Sequence, residues 1–142
     1  MADVIYNSFK RDIMNGSIDL DTDTINVMLV TSTYTPDADA HTKRSDITNE
    51  CANGNGYATG GSALANKAVT ADNTDNEGVF DADDIAWTTS TITARGAVLY
   101  KARGGASSAD ELICYLDFTA DKVSTVGTFT ISWNAEGILN LN

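Results

Sequence analysis

The sequence predicts a mainly β protein: an antiparallel β-sandwich or barrel with one N-terminal α-helix and one long loop rich in glycine and asparagine. Three observations support this fold class. Runs rich in β-branched and aromatic residues recur through the second half of the chain, and turn-forming residues separate them. Only one segment, near the N-terminus, has the apolar spacing of a helix. Strands without helices between them favour antiparallel sheets over a parallel α/β fold.

The N-terminal segment has the periodicity of an amphipathic helix. Ile5, Phe9 and Ile13 recur every four residues and therefore share one helical face. Asn15-Gly16 follows, and such residues commonly end a helix. We predict a helix at about residues 3–14 that packs on a β-rich body at about residues 17–142. A chain of 142 residues can bury one core, so we expect residues 1–142 to form a single domain.

The next two segments differ sharply in composition. Residues 24–31 are almost continuously apolar and rich in β-branched residues, which predicts a buried strand. Residues 32–62 hold the only proline of the chain and a cluster of glycine and asparagine, so we predict a long loop with a short helical turn near residues 43–49. Loops of this length are usually functional or are ordered by a partner.

Later strands are predicted from short runs between turn-rich breaks. The runs are 64–71, 78–80, 85–89, 92–101, 111–118, 128–133 and 138–141. Alternation is clearest in the sixth run, where Phe129, Ile131 and Trp133 share one face. We expect that face to be core and the opposite face to meet solvent or a neighbour.

The net charge and the N-terminal sequence indicate two classes of partner that we do not expect, nucleic acids and membranes. Twenty acidic residues against nine basic ones give a net charge of −11, which repels phosphate backbones, so we expect no nucleic-acid partner. The start Met1-Ala-Asp-Val lacks the pattern of a signal peptide, and no apolar run is long enough to span a bilayer. We therefore expect no membrane partner.

Catalytic and cofactor motifs are weak in this sequence. His41 is the single histidine, and no phosphate loop or paired-cysteine zinc pattern is present. We predict that the protein is not an enzyme and needs no cofactor. Cys51 stands in a polar loop and Cys114 in a strand-like run, which leaves both a disulfide and two free thiols open.

Three acidic clusters offer oxygen ligands that calcium prefers. The clusters are 19–23, 72–78 and 81–84. In the second one, Asp72, Thr74 and Asn76 have the spacing of an EF-hand start, but Glu77 stands where that loop needs glycine. Solvated acidic turns are the main expectation, because Asp and Asn readily stabilise turns. A calcium site in one of these loops is the alternative.

Seven segments spread over nearly the whole chain carry a resemblance to known proteins. They are Tyr6-Asn-Ser-Phe-Lys at 6–10, the strand region 18–32, Tyr-Thr-Pro at 34–36, and the segments 45–50, 56–61, 79–84 and 131–139. In these segments the sequence resembles a family of small structural proteins encoded by tailed bacteriophages and prophages. The resemblance carries over no catalytic residues.

The resemblance implies a structural role in a virion. We expect a capsid decoration (cement) protein on the capsid surface, assembled in the host cytoplasm, that binds the major capsid protein and stabilises its lattice. Self-association into a homo-oligomer, such as a trimer, fits this role. One alternative is a neck or tail component, such as a tube, terminator or baseplate-associated protein. A carbohydrate-binding module is another, if Trp87, Tyr34 or Tyr57 is exposed and stacks on sugars.

Candidate contact residues come from the long loop and from the basic face of the helix. We expect a protein interface to use Lys10, Arg11, Tyr34, His41, Lys43, Arg44 and Tyr57. Loops that a partner orders are common docking surfaces, and arginine and tyrosine are enriched in such interfaces.

Overall fold

A computed structural model of the protein describes residues 2–142. Its elements are β1 (Val4–Ile5), α1 (Asn7–Met14), β2 (Ile25–Val30), β3 (Ser62–Ala63), β4 (Ala68–Asp72), β5 (Glu77–Asp81), β6 (Ile85–Lys101), β7 (Leu112–Ile131) and β8 (Leu139–Leu141). Short 3-10 turns form at Arg44–Asp46 and Ser107–Ala109. The first of these lies where the sequence predicts a helical turn. No helix among residues 2–142 is both long and apolar enough to cross a lipid bilayer.

Two antiparallel sheets build the fold. The larger has the strand order β1-β7-β6-β2-β3, and the smaller has the order β4-β5-β8. Each sheet ends in edge strands, so neither closes on itself and the predicted barrel alternative is wrong. The prediction of a mainly β protein with antiparallel sheets and one helix is confirmed.

Strands β6 and β7 form one long hairpin of 17 and 20 residues. The sequence predicts breaks near residue 90 and over residues 119–127, but the structure has irregular pairing there instead of turns. The buried Ser90 explains one of these errors. Its hydroxyl oxygen lies 2.7 Å from Ser124 Oγ and 3.0 Å from the carbonyl oxygens of Trp87 and Gly127, so a typical turn residue stays within the sheet.

The helix begins later than predicted. Val4 and Ile5 are not helical, because they pair with Tyr115 and Cys114 at the edge of the larger sheet. Phe9 is buried, as the apolar spacing predicts, whereas the preceding Ile5 is partly exposed. Long-range pairing therefore removes the first turn of the predicted helix.

The main hydrophobic cluster includes residues of both sheets. Phe80 of β5 belongs to the same cluster as Val27, Leu99 and Ile113 of the larger sheet. Within residues 128–133, Phe129 and Ile131 are buried and Trp133 is half-buried against the same cluster, while Thr128, Thr130 and Ser132 are exposed, which confirms the predicted alternation. The cluster fixes how the connecting loops and α1 can pack.

Both cysteines are buried and free. Cys114 lies in the core on β7, and Cys51 is buried although its sequence neighbours are polar. Burial raises the pKa of Cys51 to about 11 and that of Cys114 to about 12. Both side chains therefore stay protonated thiols at neutral pH.

Candidate interaction surfaces

The connection from β2 to β3, residues 31–61, contains most of the predicted contact residues and is called loop 31–61 below. An ion pair between the half-buried Arg44 and the buried Asp110 holds it to the turn between β6 and β7. Arg44 Nε lies 2.8 Å from Asp110 Oδ2, and the Arg44 amide donates to the Asp110 carbonyl at 2.9 Å. Asp110 is only 1% exposed. The other Asp110 oxygen accepts from the Arg103 amide at 2.8 Å, so both carboxylate oxygens are used.

Glu111 forms the second attachment of the same loop. Arg103 donates to both of its carboxylate oxygens, with the shortest distance 2.7 Å, and Lys43 Nζ lies 3.4 Å away. Burial opposes ionisation of Glu111, but the Arg103 hydrogen bonds, together with the charges of Lys43 and Arg103, outweigh it. The pKa of Glu111 therefore falls from its ordinary 4.5 to about 2.

Acid should weaken this attachment in a defined pH range. The pKa of Glu111 is lower in the folded chain than in the unfolded chain, so its contribution to stability is complete above pH 4.5 and is lost as the pH falls towards 2. We expect the urea midpoints of the wild type and of Glu111→Gln to differ most near neutral pH and to converge over that range. A difference that stays constant down to pH 2 would contradict the assignment.

A chain of three aromatic side chains supports the start of the loop. The Tyr6 and Tyr34 hydroxyls lie 2.8 Å apart, and the Tyr34 hydroxyl lies 2.9 Å from His41 Nδ1. Tyr34 also packs edge-to-face on Tyr115, with ring centroids 5.7 Å apart. Burial is the main reason that the pKa of Tyr34 rises to about 12. This part of the loop is therefore held from inside the protein.

Tyr57 performs the same task at the end of the loop. Its hydroxyl donates to Glu50 Oε1 at 2.7 Å and accepts from the Leu29 amide at 3.0 Å. The Gly60 amide also donates to Glu50 Oε1, at 2.5 Å. These contacts connect the second half of the loop to β2.

Two predicted contact residues are therefore not at the surface. Tyr34 and Tyr57 are buried, and so is Trp87, which packs 6.0 Å from the Tyr57 ring. The carbohydrate-binding alternative required one of these side chains to be exposed for sugar stacking, and that condition is not met because long-range packing covers all three.

The basic residues of the prediction fall into two groups. His41, Lys43 and Arg44 are half-buried, and their partners belong to the protein itself. Lys10 and Arg11 are exposed on α1, and Arg11 pairs with Asp12 at 2.7 Å. That these five residues bind a partner stays a prediction.

An apolar groove between α1 and the smaller sheet is a second candidate surface. Its volume is about 380 Å³. Four exposed large hydrophobic residues line it: Ile5, Met14, Val69 and Leu141. Phe9, Phe80 and Leu139 form its deeper part, and Lys10 stands at its rim. Convergence of exposed apolar side chains is typical of an interaction site.

Sequence reasoning missed this groove, apart from Lys10. Its sheet wall depends on the pairing of Val69 with Phe80 in the β4–β5 hairpin and of Phe80 with Leu139 in β8, which is far away in sequence. The available signal was the alternation Leu139-Asn140-Leu141, which indicates one apolar strand face. Nothing in that alternation reveals that the face is only partly covered.

The acidic clusters have clear structural roles in two cases. Asp19 Oδ1 accepts from the amides of Asp21 and Thr22, and Asp72 Oδ1 accepts from those of Thr74 and Asp75. These carboxylates therefore stabilise turns, as their residue type suggests.

Calcium binding remains a prediction. Among residues 2–142, the carboxylates of Asp75, Glu77 and Glu136 can approach within 4.8 Å of one another. Proximity of partly exposed carboxylates does not by itself identify a calcium site, because such clusters also occur as solvated surface.

Comparison of the chain with protein-family models, with curated proteins and with solved structures finds no match.

Proposed function

We propose that the chain is a non-enzymatic structural protein of a tailed-bacteriophage virion, and specifically a capsid decoration protein that binds the major capsid protein. The observation that carries the proposal is the way loop 31–61 is held. Buried hydrogen bonds and ion pairs fix it at both ends and in the middle, while much of its outer side is exposed. A fixed loop binds with less loss of conformational freedom than a mobile one.

Three further features support this role. The first is the resemblance of the seven segments quoted above to phage structural proteins. The two sheets share one hydrophobic cluster, which suits a compact β-sandwich. The net charge of −11 discourages contact with packaged DNA. On a repeating lattice, many modest contacts of such a domain add up through multivalency.

Loop 31–61 is the surface that we assign to the capsid. Ala40 and Ala52 are exposed in it, so a larger side chain at either position adds bulk without disturbing the core. We expect Ala40→Arg or Ala52→Arg to reduce binding by at least about tenfold, which corresponds to a loss of about 1.4 kcal/mol. Thr70→Arg adds the same side chain at an exposed position of β4 and should bind like the wild type.

Binding is measured by cosedimentation with particles from the encoding genome that lack this protein. Retention of the wild type and loss of the two loop variants supports the proposal. Failure of the wild type to bind these particles contradicts the capsid role. Equal binding of all four proteins contradicts the assignment of loop 31–61.

A further inference from the structure

The exposed large hydrophobic residues of the described chain fall into two separate patches. Four of them, Ile5, Met14, Val69 and Leu141, line the groove between α1 and the smaller sheet. The other two, Val123 and Val126, lie on β7 and are called the knob. Val123 is 64% exposed and Val126 is 77% exposed. The knob residues do not line the groove, so the patches are distinct.

Irregular pairing of β6 and β7 places Val126 in an exposed bulge. Ile92 pairs with Ser124 and Ser90 pairs with Gly127, so β7 has one more residue than β6 between these two pairs. Val126 lies in this bulge with a φ of 44°, a conformation that β-branched residues rarely adopt. Its amide donates to Thr91 Oγ1 at 3.1 Å, which holds the bulge in place. Contact with another surface would explain why a strained apolar residue is held in solvent.

The groove has room for an apolar side chain. On the wall formed by the smaller sheet, Gly78 pairs with Leu141 and contributes no side chain. A Cβ atom at Gly78 would meet only the Leu141 carbonyl oxygen, at 3.9 Å. Leu141 is 73% exposed and Met14 on the helix is 87% exposed. An inserted valine would cover apolar surface on both walls, which is favourable in water.

Charges next to the two patches are complementary. Lys122 precedes Val123 on β7 and forms no ion pair within residues 2–142. Beside the groove, the carboxylates of Asp75, Glu77 and Glu136 come close together. Glu77 accepts a hydrogen bond from the side chain of Asn140, which lines the groove. A knob that enters the groove can therefore bring an unpaired ammonium towards an acidic cluster.

We propose that the groove binds the knob of a second copy of this chain. Because the two patches differ, a two-fold dimer makes the contact twice, and repetition of the contact around a higher rotation axis closes a ring of copies. The inference concerns self-association alone and does not depend on the proposed binding to a capsid.

The test uses one variant on each side of the contact. Leu141→Asp places a charge in the groove, and Val126→Asp places one on the knob. Both positions are exposed, so the variants should fold with the circular dichroism of the wild type, and Val126→Asp should melt at least as high because aspartate tolerates a positive φ better than valine does. Thr48→Asp adds the same charge at an exposed position of loop 31–61 and serves as the control. Molar mass is measured by light scattering after gel filtration.

We expect the wild type and Thr48→Asp to form a closed oligomer and each patch variant to be a monomer. An equimolar mixture of the two patch variants should contain a dimer with one copy of each, because one intact groove and one intact knob remain. A monomeric wild type at the highest soluble concentration overturns the proposal. So does an oligomeric Val126→Asp variant, which indicates a different occupant of the groove, or a mixture that stays monomeric.

Discussion

Replacement of Asp110 by alanine should lower the free energy of unfolding by about 3 kcal/mol, because it leaves both the half-buried Arg44 side chain and the Arg103 amide without their acceptor. Asp110 is 1% exposed and accepts hydrogen bonds from Arg44 and from the Arg103 amide. The change should also release the middle of loop 31–61, since Arg44 then loses its side-chain attachment to the β6–β7 turn. Urea unfolding measures the first effect, and amide hydrogen exchange of residues 43–47 measures the second.

Asp21→Ala is the matched control for this change. Asp21 is exposed in the turn before β2, so its loss should change stability by no more than about 0.5 kcal/mol. A cost below about 1 kcal/mol for Asp110→Ala, with unchanged exchange in the loop, would show that the ion pair does not hold the loop.

Replacement of Gly61 by alanine should have a still larger effect, about 4 kcal/mol, through combined strain and collision. Gly61 has a φ of +75°, and an added Cβ would lie 1.8 Å from the Val27 carbonyl oxygen and 2.8 Å from Met28 Cα. These atoms belong to the backbone of β2, so no side chain can move to make room. We expect β3 to separate from β2 and the melting temperature to fall by well over ten degrees.

Gly104→Ala separates the two causes. Gly104 has a φ of +80° but no atom within 4 Å of an added Cβ, so only the backbone strain remains. Its cost should be about 1 kcal/mol. Equal losses of stability for the two variants would show that the close approach of Gly61 to β2 does not matter.

Local patterns in the sequence predict which helices and strands form better than they predict where each one begins and ends. The apolar spacing of residues 5–13 predicts a helix, but the pairing of Val4 and Ile5 with β7 removes its first turn. Strand β2 is predicted within one residue at each end, because its buried position requires an almost continuous apolar run. In β6 and β7, Ser90 and residues 119–127 have the composition of turns, and only the pairing partner keeps them in the sheet.

The candidate surfaces were harder to predict, for a physical reason. Burial of Tyr34 and Tyr57 results from contacts with Tyr6, Tyr115 and Leu29, which lie far away along the chain. Composition identifies the loop as unusual but does not show which side chains turn inward. The groove likewise exists only after three separate strands have formed one sheet. Sequence therefore identified the loop as a region of interest but not its contact face.

Cryo-imaging of intact particles from the encoding genome tests the central claim most directly, because it gives both the position and the copy number of this protein. The capsid role predicts density spread over the outer shell, in hundreds of copies per particle. Density confined to the portal axis or the tail, in a dozen copies or fewer, would contradict the capsid role and favour a neck or tail component. Absence of the protein from the particle would contradict the structural role in the virion altogether.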